Sequence, residues 1–519
     1  MAKLILSMVL GGIVALILHI YSIFVVKPQK VRSKLQEQGI RGPSPSFLLE
    51  NIREMTSIQV QALQSAQKKS PKAGNGIAHD WPFTVFQYLH KWIDEYGTTF
   101  IYSNGSIQTL CTTDIDIVKK ISLCTSLSLG KPSYLSKDRR PLLGQGILSS
   151  SGPIWAHQRR IIAPEFYLDK IKDMVNLMVD STRLVLNSWE SRIEKEGRLA
   201  DINIEEDLRN LSADIISRAC FGSNYSEGEE IFQKLRTLQS VMSKATIGIP
   251  GLRYMPTQNN REIWKLKKDI DSMILKVVNQ RAAGTHEQDL LQMILKGAKH
   301  GSDVNEGLPS DVSLDKFIVD NCKNIYFAGH ETTAITATWS LMLLAAHPYW
   351  QARARAEVLE IYKDKAPSAD MFRNMKTLTM VIQETLRLYP PAVFVDRTAL
   401  EDIEFKDIWI PKGLNLQIPI AILQQSPDLW GPDAHQFNPG RFVNGILGAC
   451  KSPQAYMPFG IGSRICIGQQ FAMTQLKVIL SLVLSKFSFS LSPKYNHSPV
   501  FKLVVQPENG VHLHLKRLS

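Results

Sequence analysis

From Leu4 to Val26 the chain runs for 23 residues without a formal charge, and this stretch limits what the N-terminus can become. A helix rising about 1.5 Å per residue is long enough there to cross a hydrocarbon core of about 30 Å. Only a helix satisfies every backbone donor and acceptor of a single segment inside lipid. A cleavable leader would have a shorter apolar region ending on small residues, and a surface-lying helix would need a charged face; the stretch has neither. Lys27, Lys30, Arg32 and Lys34 follow it while only Lys3 and the amino terminus precede it, so the positive-inside rule leaves the remainder in the cytosol. We read residues 1–26 as a membrane anchor and 27–48 as a basic, proline-containing linker with a stiff bend at Gly42-Pro43-Ser44-Pro45. Residues 49–519 then form the globule.

That globule has ordinary proportions of hydrophobic (44%) and charged (21%) residues. Its length would suit two or three domains, but no internal repeat or long linker divides it. The stretches Lys68–Gly76 and Gly297–Ser310 read as surface loops. The net charge of +12 does not indicate nucleic acid, because the basic residues are dispersed and no binding motif accompanies them. It fits an anionic membrane surface or an acidic protein partner. The six cysteines show no CxxC or zinc spacing, so a cytosolic domain keeps them reduced.

One helix stands out. Ile318, Cys322, Ile325, Gly329, Thr332, Thr336, Trp339, Leu343 and Ala346 recur at steps of four and three, a continuous apolar face that Pro348 stops. From Leu314 to Ala346 it would be roughly 50 Å long. Gly329 costs about 1 kcal/mol relative to Ala in a helix interior, so its place on the buried stripe asks for a reason. Strand-like runs occur at Thr99–Tyr102 and Val511–Leu515. Long helices with a few short strands give a mainly α fold with small β-sheets.

The chemistry concentrates in Phe459-Gly-Ile-Gly-Ser-Arg-Ile-Cys-Ile-Gly468, where Phe459, Gly462, Arg464, Cys466 and Gly468 follow the spacing F-x-x-G-x-R-x-C-x-G. This pattern resembles the thiolate loop of the cytochrome P-450, or haem-thiolate monooxygenase, superfamily. Three more signatures occur in that family's order: Ala328-Gly-His-Glu-Thr-Thr333 on the long helix, Glu384-Thr-Leu-Arg387, and Trp155-Ala-His-Gln-Arg159. The resemblance covers residues 40 to 519 and implies the cytochrome P-450 fold behind one transmembrane helix.

The resemblance implies haem b as cofactor with Cys466 as axial ligand, a thiolate that pushes electron density onto the metal and favours O–O cleavage. The two glycines let the chain approach the macrocycle and aim amides at the sulfur, Phe459 shields the sulfur, and Arg464, Arg397, Trp155 and Arg159 meet the haem carboxylates. Gly329 leaves room for dioxygen, while Thr332 and Glu331 form a proton relay from solvent. The residues by themselves also allow Thr332 to back-bond to the carbonyl four residues earlier. Glu384, Arg387 and Arg441 form a structural ion triad, with Gly440 in place of the acidic residue that many members carry before the second arginine.

No Gly-x-Gly-x-x-Gly follows a strand and opens a helix, and no spare domain could hold flavin or nicotinamide, so electrons come from outside. The resemblance implies an NADPH-dependent flavoprotein reductase, with cytochrome b5 as a further donor. Arg159, Arg160, Lys170 and Lys172 would contribute to the basic docking face on the Cys466 side. It also implies dioxygen as co-substrate, residence in the endoplasmic reticulum membrane, and insertion of one oxygen atom into a lipophilic molecule. His79–Gly97 (HDWPFTVFQYLHKWIDEYG) and Gly39–Ser46 (GIRGPSPS) further resemble a plant clan that oxidises terpenoids, including gibberellin-type diterpenoids and pentacyclic triterpenoids. The pocket would draw on Ser126–Leu148, on Asn324, Ile325, Phe327 and Ala328, on Ala392–Val395 and on Val500–Val504. Lys137, Arg139 or Arg140 could meet a substrate carboxylate or be solvated. A reductase-independent isomerase or dehydratase of hydroperoxides and a non-catalytic haem sensor are the rival classes; neither explains both Thr332 and the regular Cys466 loop.

Overall fold

The computed structural model describes residues 1–46, 49–68, 77–222, 225–244, 248–249, 251–282, 290–303, 313–363, 365, 367–405 and 407–518. Its N-terminus is one helical rod. A helix over Ala2–Tyr21 passes through a π-helical stretch at Ser22–Val26 into a helix over Lys27–Gln36, and the rod is long and apolar enough to cross a membrane. The basic stretch is thus helical and docks on the globule. Leu35 is buried, and Arg32 donates to Pro43 O at 3.0 Å, Asn51 Oδ1 at 3.0 Å and Ser103 Oγ at 2.7 Å.

The rest is mainly α. The long helix covers Leu314–Ala346; Ser313 caps its start by accepting from the Lys316 amide, and it ends at His347, where the following Pro348 disfavours further α-helical geometry. Most of its residues are buried on all sides, because helices Ile204–Phe221, Gln258–Ala282, Lys376–Leu388 and Gln469–Lys486 pack around it. Thr332, Thr336 and Ser340 each donate to the carbonyl four residues earlier at 2.8 Å, which satisfies these hydroxyl donors within the helix itself.

A five-stranded sheet lies to one side, in the order Thr99–Asn104, Ile107–Thr112, Asn415–Pro419, Phe394–Ala399, Leu129–Gly130. The first two strands form a tight hairpin in which Asn104 pairs with Ile107 and Gly105 takes φ +57°, a left-handed angle that glycine adopts at little cost. The C-terminal strand expected at Val511–Leu515 lies at His512–Arg517. The expected loop at Gly297–Ser310 is corrected in part: a helix covers Leu290–Asp303. Gly297 admits close packing there, since a Cβ would stand 2.4 Å from Ile161 Cδ1. Residues 304–310 and 69–76 lie outside the described residues.

A buried chain of polar rings ties the two ends of the globule together. His79 Nδ1 lies 2.7 Å from Tyr389 Oη, which lies 3.0 Å from His497 Nε2; the Tyr495 hydroxyl meets His497 Nδ1 at 2.7 Å. Burial, then the neighbouring His497 and His347, pushes His79 down to about 3, and burial pushes His497 down to about 4. Both imidazoles are neutral in the fold, whereas in the unfolded chain they take up protons near pH 6.5. Their contribution is full above that pH and is lost as the pH falls from it toward the folded values. We therefore expect the denaturation midpoint of the haem-loaded protein to fall steadily between about pH 6.5 and 4.5; a flat midpoint there would contradict this assignment.

Candidate functional site

The Cys466 loop is a closed hairpin. The Cys466 amide donates to Phe459 O at 2.8 Å, and Gly460 and Gly462 take φ +77° and +68°. Gly462 has a second reason to be glycine: a Cβ would stand 2.9 Å from Ser122 O. Gly468 differs, because its φ is −86° and a Cβ would meet only Cys466 Sγ, at 3.9 Å. What Gly468 supplies is its amide, a hydrogen bond to the sulfur. Burial pushes the Cys466 thiol up, while the Gly468 amide and the Arg159 charge pull it back.

The sulfur faces a cavity with about 1540 Å³ of atom-free space, mouth included. On the opposite wall the long helix contributes Asn324, Ile325, Ala328, Gly329, Thr332 and Thr336. Trp155, Arg159, Phe459, Arg464 and Gly468 line the cavity with Cys466, and Arg397 enters from its strand. Of the expected pocket segments, Lys131, Ile147, Leu148, Ala392, Phe394 and Val395 line it. Phe327, Val393 and Val500–Val504 do not; the Phe501 ring instead lies 5.5 Å from Phe86 and 6.1 Å from Phe394. Lys137 and Arg140 border a separate outer cavity beside Tyr254 and Trp264, and the Arg139 guanidinium donates to Met242 O.

The cations at one edge of the cavity are crowded. Arg464 stands 4.2 Å above the Trp155 ring and Arg159 5.7 Å from it. Arg159 donates to Ile465 O at 2.9 Å, Arg464 to Ser150 O at 3.0 Å and Arg397 to Ile461 O at 3.2 Å. Burial, then the facing Arg397 and Arg159, pushes Arg464 down to about 9, and burial pushes Arg397 down to about 10. Arg464 Nη2 is buried with no partner among the described residues. An open donor among crowded cations at a cavity edge, with a thiol on the floor, fits haem b: two carboxylates for the cations and an iron for the sulfur.

Thr332 lines this wall and Glu331 does not. The Thr332 hydroxyl donates to Ala328 O at 2.8 Å, so its oxygen is free to accept toward the cavity. Glu331 does not reach solvent directly. It is fully buried, ion-paired with Arg209, with His330 Nε2 3.3 Å from its Oε2 and Gln239 Nε2 3.5 Å from its Oε1. Burial alone pushes its carboxyl up; the Arg209 charge and His330 outweigh this and hold it well below the usual range. Gly329 also gains a packing reason, since a Cβ would stand 2.6 Å from Ile216 Cδ1. Arg209 and Gln239 carry no local sequence signal that could have marked them, whereas His330 lies inside the Ala328–Thr333 signature.

Behind the cavity, Arg387 grips Glu384 with both ends of its fork, at 2.7 and 2.8 Å, and Arg441 Nε lies 3.6 Å from the same carboxylate. Asp433 takes the Arg441 fork at 2.8 and 3.1 Å, supplying the acidic partner that Gly440 cannot.

A family model described as Cytochrome P450 matches residues 71–515. The chain is 50% identical over 505 residues to Cytochrome P450 714C2 of Oryza sativa subsp. japonica, across 96% of this chain and 95% of that protein. It is 46% identical over 523 residues to Cytochrome P450 714B3 of Zea mays, across 100% and 96%. With Cytochrome P450 714A2 of Arabidopsis thaliana it shares 43% identity over 513 residues, across 97% and 96%.

Proposed function

The chain belongs to the cytochrome P450 family, and we propose that it is a membrane-anchored monooxygenase inserting one oxygen atom from dioxygen into a terpenoid, a gibberellin-type diterpenoid or a triterpenoid. The observation that carries this reading is the pairing of Cys466, with an amide on its sulfur, with Thr332 across one apolar-walled cavity. Haem b supplies dioxygen activation when bound, with electrons from NADPH through a reductase. Cys466 holds the iron; Arg397, Arg464 and Trp155 hold the haem carboxylates; Arg159 braces the loop through Ile465 O. Ile216, Ile325, Leu148, Phe394 and Val395 exclude water from the reacting face.

Protons must then enter by a guarded path. The Thr332 oxygen accepts from the cavity side, and Glu331 behind it is an ionised carboxylate held by Arg209. In this reading the basic face around Arg160, Lys170 and Lys172 meets the reductase, with cytochrome b5 as a further donor, and the anchor places the domain on the cytosolic side of the endoplasmic reticulum membrane.

Thr332→Ala tests the proton role. It removes a hydroxyl bonded only within its own helix, so fold and haem spectrum survive. Product per NADPH consumed should drop by about tenfold or more, with hydrogen peroxide rising to match. Full product yield from this variant would show that another group carries the proton. Expression with a reductase in microsomes, followed by mass spectrometry of terpenoid acids and alcohols for a gain of one oxygen, tests the substrate class.

A further inference from the structure

Lys137 and Arg140 line an outer cavity with about 2290 Å³ of atom-free space, mouth included. It lies between their loop, the segment around Tyr254, the helix Gln258–Ala282 and the start of the long helix. It shares no lining residue with the haem cavity. A seam of hydrogen bonds separates the two. Asp320 accepts from the Gln145 amide at 2.8 Å, Asn321 from the Ile147 amide at 3.1 Å and Asn324 from the Leu148 amide at 2.9 Å. Gly146 lets the loop lie this close, since a Cβ would stand 2.6 Å from Asn324 Oδ1. Asp320 lines the outer cavity and Asn324 the haem cavity, so the seam is the wall between them.

The outer lining combines apolar surface with spare positive charge. Ile263 and Val319 are buried in its wall, whereas Tyr254 and Trp264 are 69% and 40% exposed. Aromatic rings left open on a cavity offer contact to an apolar body. Arg253 lies 4.8 Å from the Tyr254 ring and pairs with Asp138 at 2.6 Å. The other carboxylates of the lining are also engaged. Asp271 takes Lys267 and Lys323, the latter at 2.9 Å, and Asp320 lies 3.3 Å from Lys323. Asp315 stands in the first turn of the long helix, where the backbone carries partial positive charge. Lys137, Arg140 and Lys244 are exposed, and their side chains have no hydrogen-bond or ion-pair partner among the described residues. Arg139, donating to Met242 O, and the Asp138–Arg253 pair fix the backbone between Lys137 and Arg140. Unpaired cations on a fixed loop, facing apolar surface, complement a molecule with one anionic end and a bulky apolar body.

We propose that the outer cavity is a second binding site, which takes a lipophilic carboxylic acid with its carboxylate on Lys137 and Arg140 and its body against Tyr254 and Trp264. The site depends on neither the haem nor the substrate class read above, because none of its residues lines the haem cavity.

The test uses the full-length, haem-loaded protein in nanodiscs of zwitterionic lipid, with an azole on the haem iron to keep the haem cavity filled. The probe is palmitic acid bearing a diazirine, cross-linked by light and mapped by peptide mass spectrometry. Label should appear on the peptides that carry Tyr254 and Trp264. Abietic acid should displace it at concentrations about tenfold or more below those its methyl ester needs. The double variant Lys137→Glu, Arg140→Glu should lose about tenfold or more in probe affinity, and Lys137→Arg should keep it. Both side chains are exposed, so the haem spectrum of the double variant should match wild type. Label confined to the anchor or to the haem cavity, equal displacement by acid and ester, or undiminished labelling of the double variant overturns the proposal. So does displacement by anionic lipid in the nanodisc without displacement by abietic acid. A cross-link needs no turnover, so failure here leaves the monooxygenase reading standing, and failure of turnover leaves this result interpretable.

Discussion

Cys466→Ser abolishes the absorption band that carbon monoxide gives with thiolate-ligated ferrous haem, and abolishes oxygen insertion with it. A neutral hydroxyl cannot replace a thiolate as an electron donor to iron, and no other cysteine approaches the cavity: among its lining residues Cys466 is the only one. The fold should persist, because the loop closes through backbone bonds, Cys466 N to Phe459 O and Ile465 N to Gly462 O, which the substitution leaves in place. Circular dichroism of the variant should therefore match wild type while the carbon monoxide difference spectrum does not. A normal band from Cys466→Ser would remove the axial assignment.

The second large effect is expected far from the sulfur. Arg209→Met leaves the Glu331 carboxylate buried without its cation. The two side chains are 3% and 1% exposed, and breaking one partner of such a pair costs about 3–5 kcal/mol. Glu331→Gln, which removes the charge and leaves Arg209 paired with Glu205 at 2.8 Å, should cost less in a wild-type background and should rescue Arg209→Met in part in the double variant, the remainder being the loss at Glu205. His330, 3.3 Å from the carboxylate, offers only part of the lost compensation. The comparison is made on denaturation midpoints of the haem-loaded proteins. Additive losses in the double variant would mean that the pair does not act as a unit.

The contrast between these two sites explains what could be read in the sequence. Cys466, Arg464, Phe459 and Gly462 lie within a few positions of one another, and a short loop must satisfy local geometry, so spacing alone carries the information. The long helix was equally legible, because its apolar stripe and the Pro348 stop both act along the chain. Arg209 meets Glu331 only because two helices far apart in sequence pack side by side, and neither residue's neighbours announce the contact. Gly297 misled in another way: glycine in a polar stretch reads as a break, whereas here it admits Ile161. The role of Asp433 was hidden because its bond to Arg441 depends on how the segment after Trp430 folds back.

Turnover in an atmosphere of ¹⁸O₂ tests the central claim most directly. With the full-length protein and a reductase in microsomes, a terpenoid acid that binds should gain one oxygen atom, that atom should carry the label, and product should vanish when NADPH or the reductase is withheld. Product that forms without NADPH, or that carries oxygen from water or from a hydroperoxide, would contradict the account.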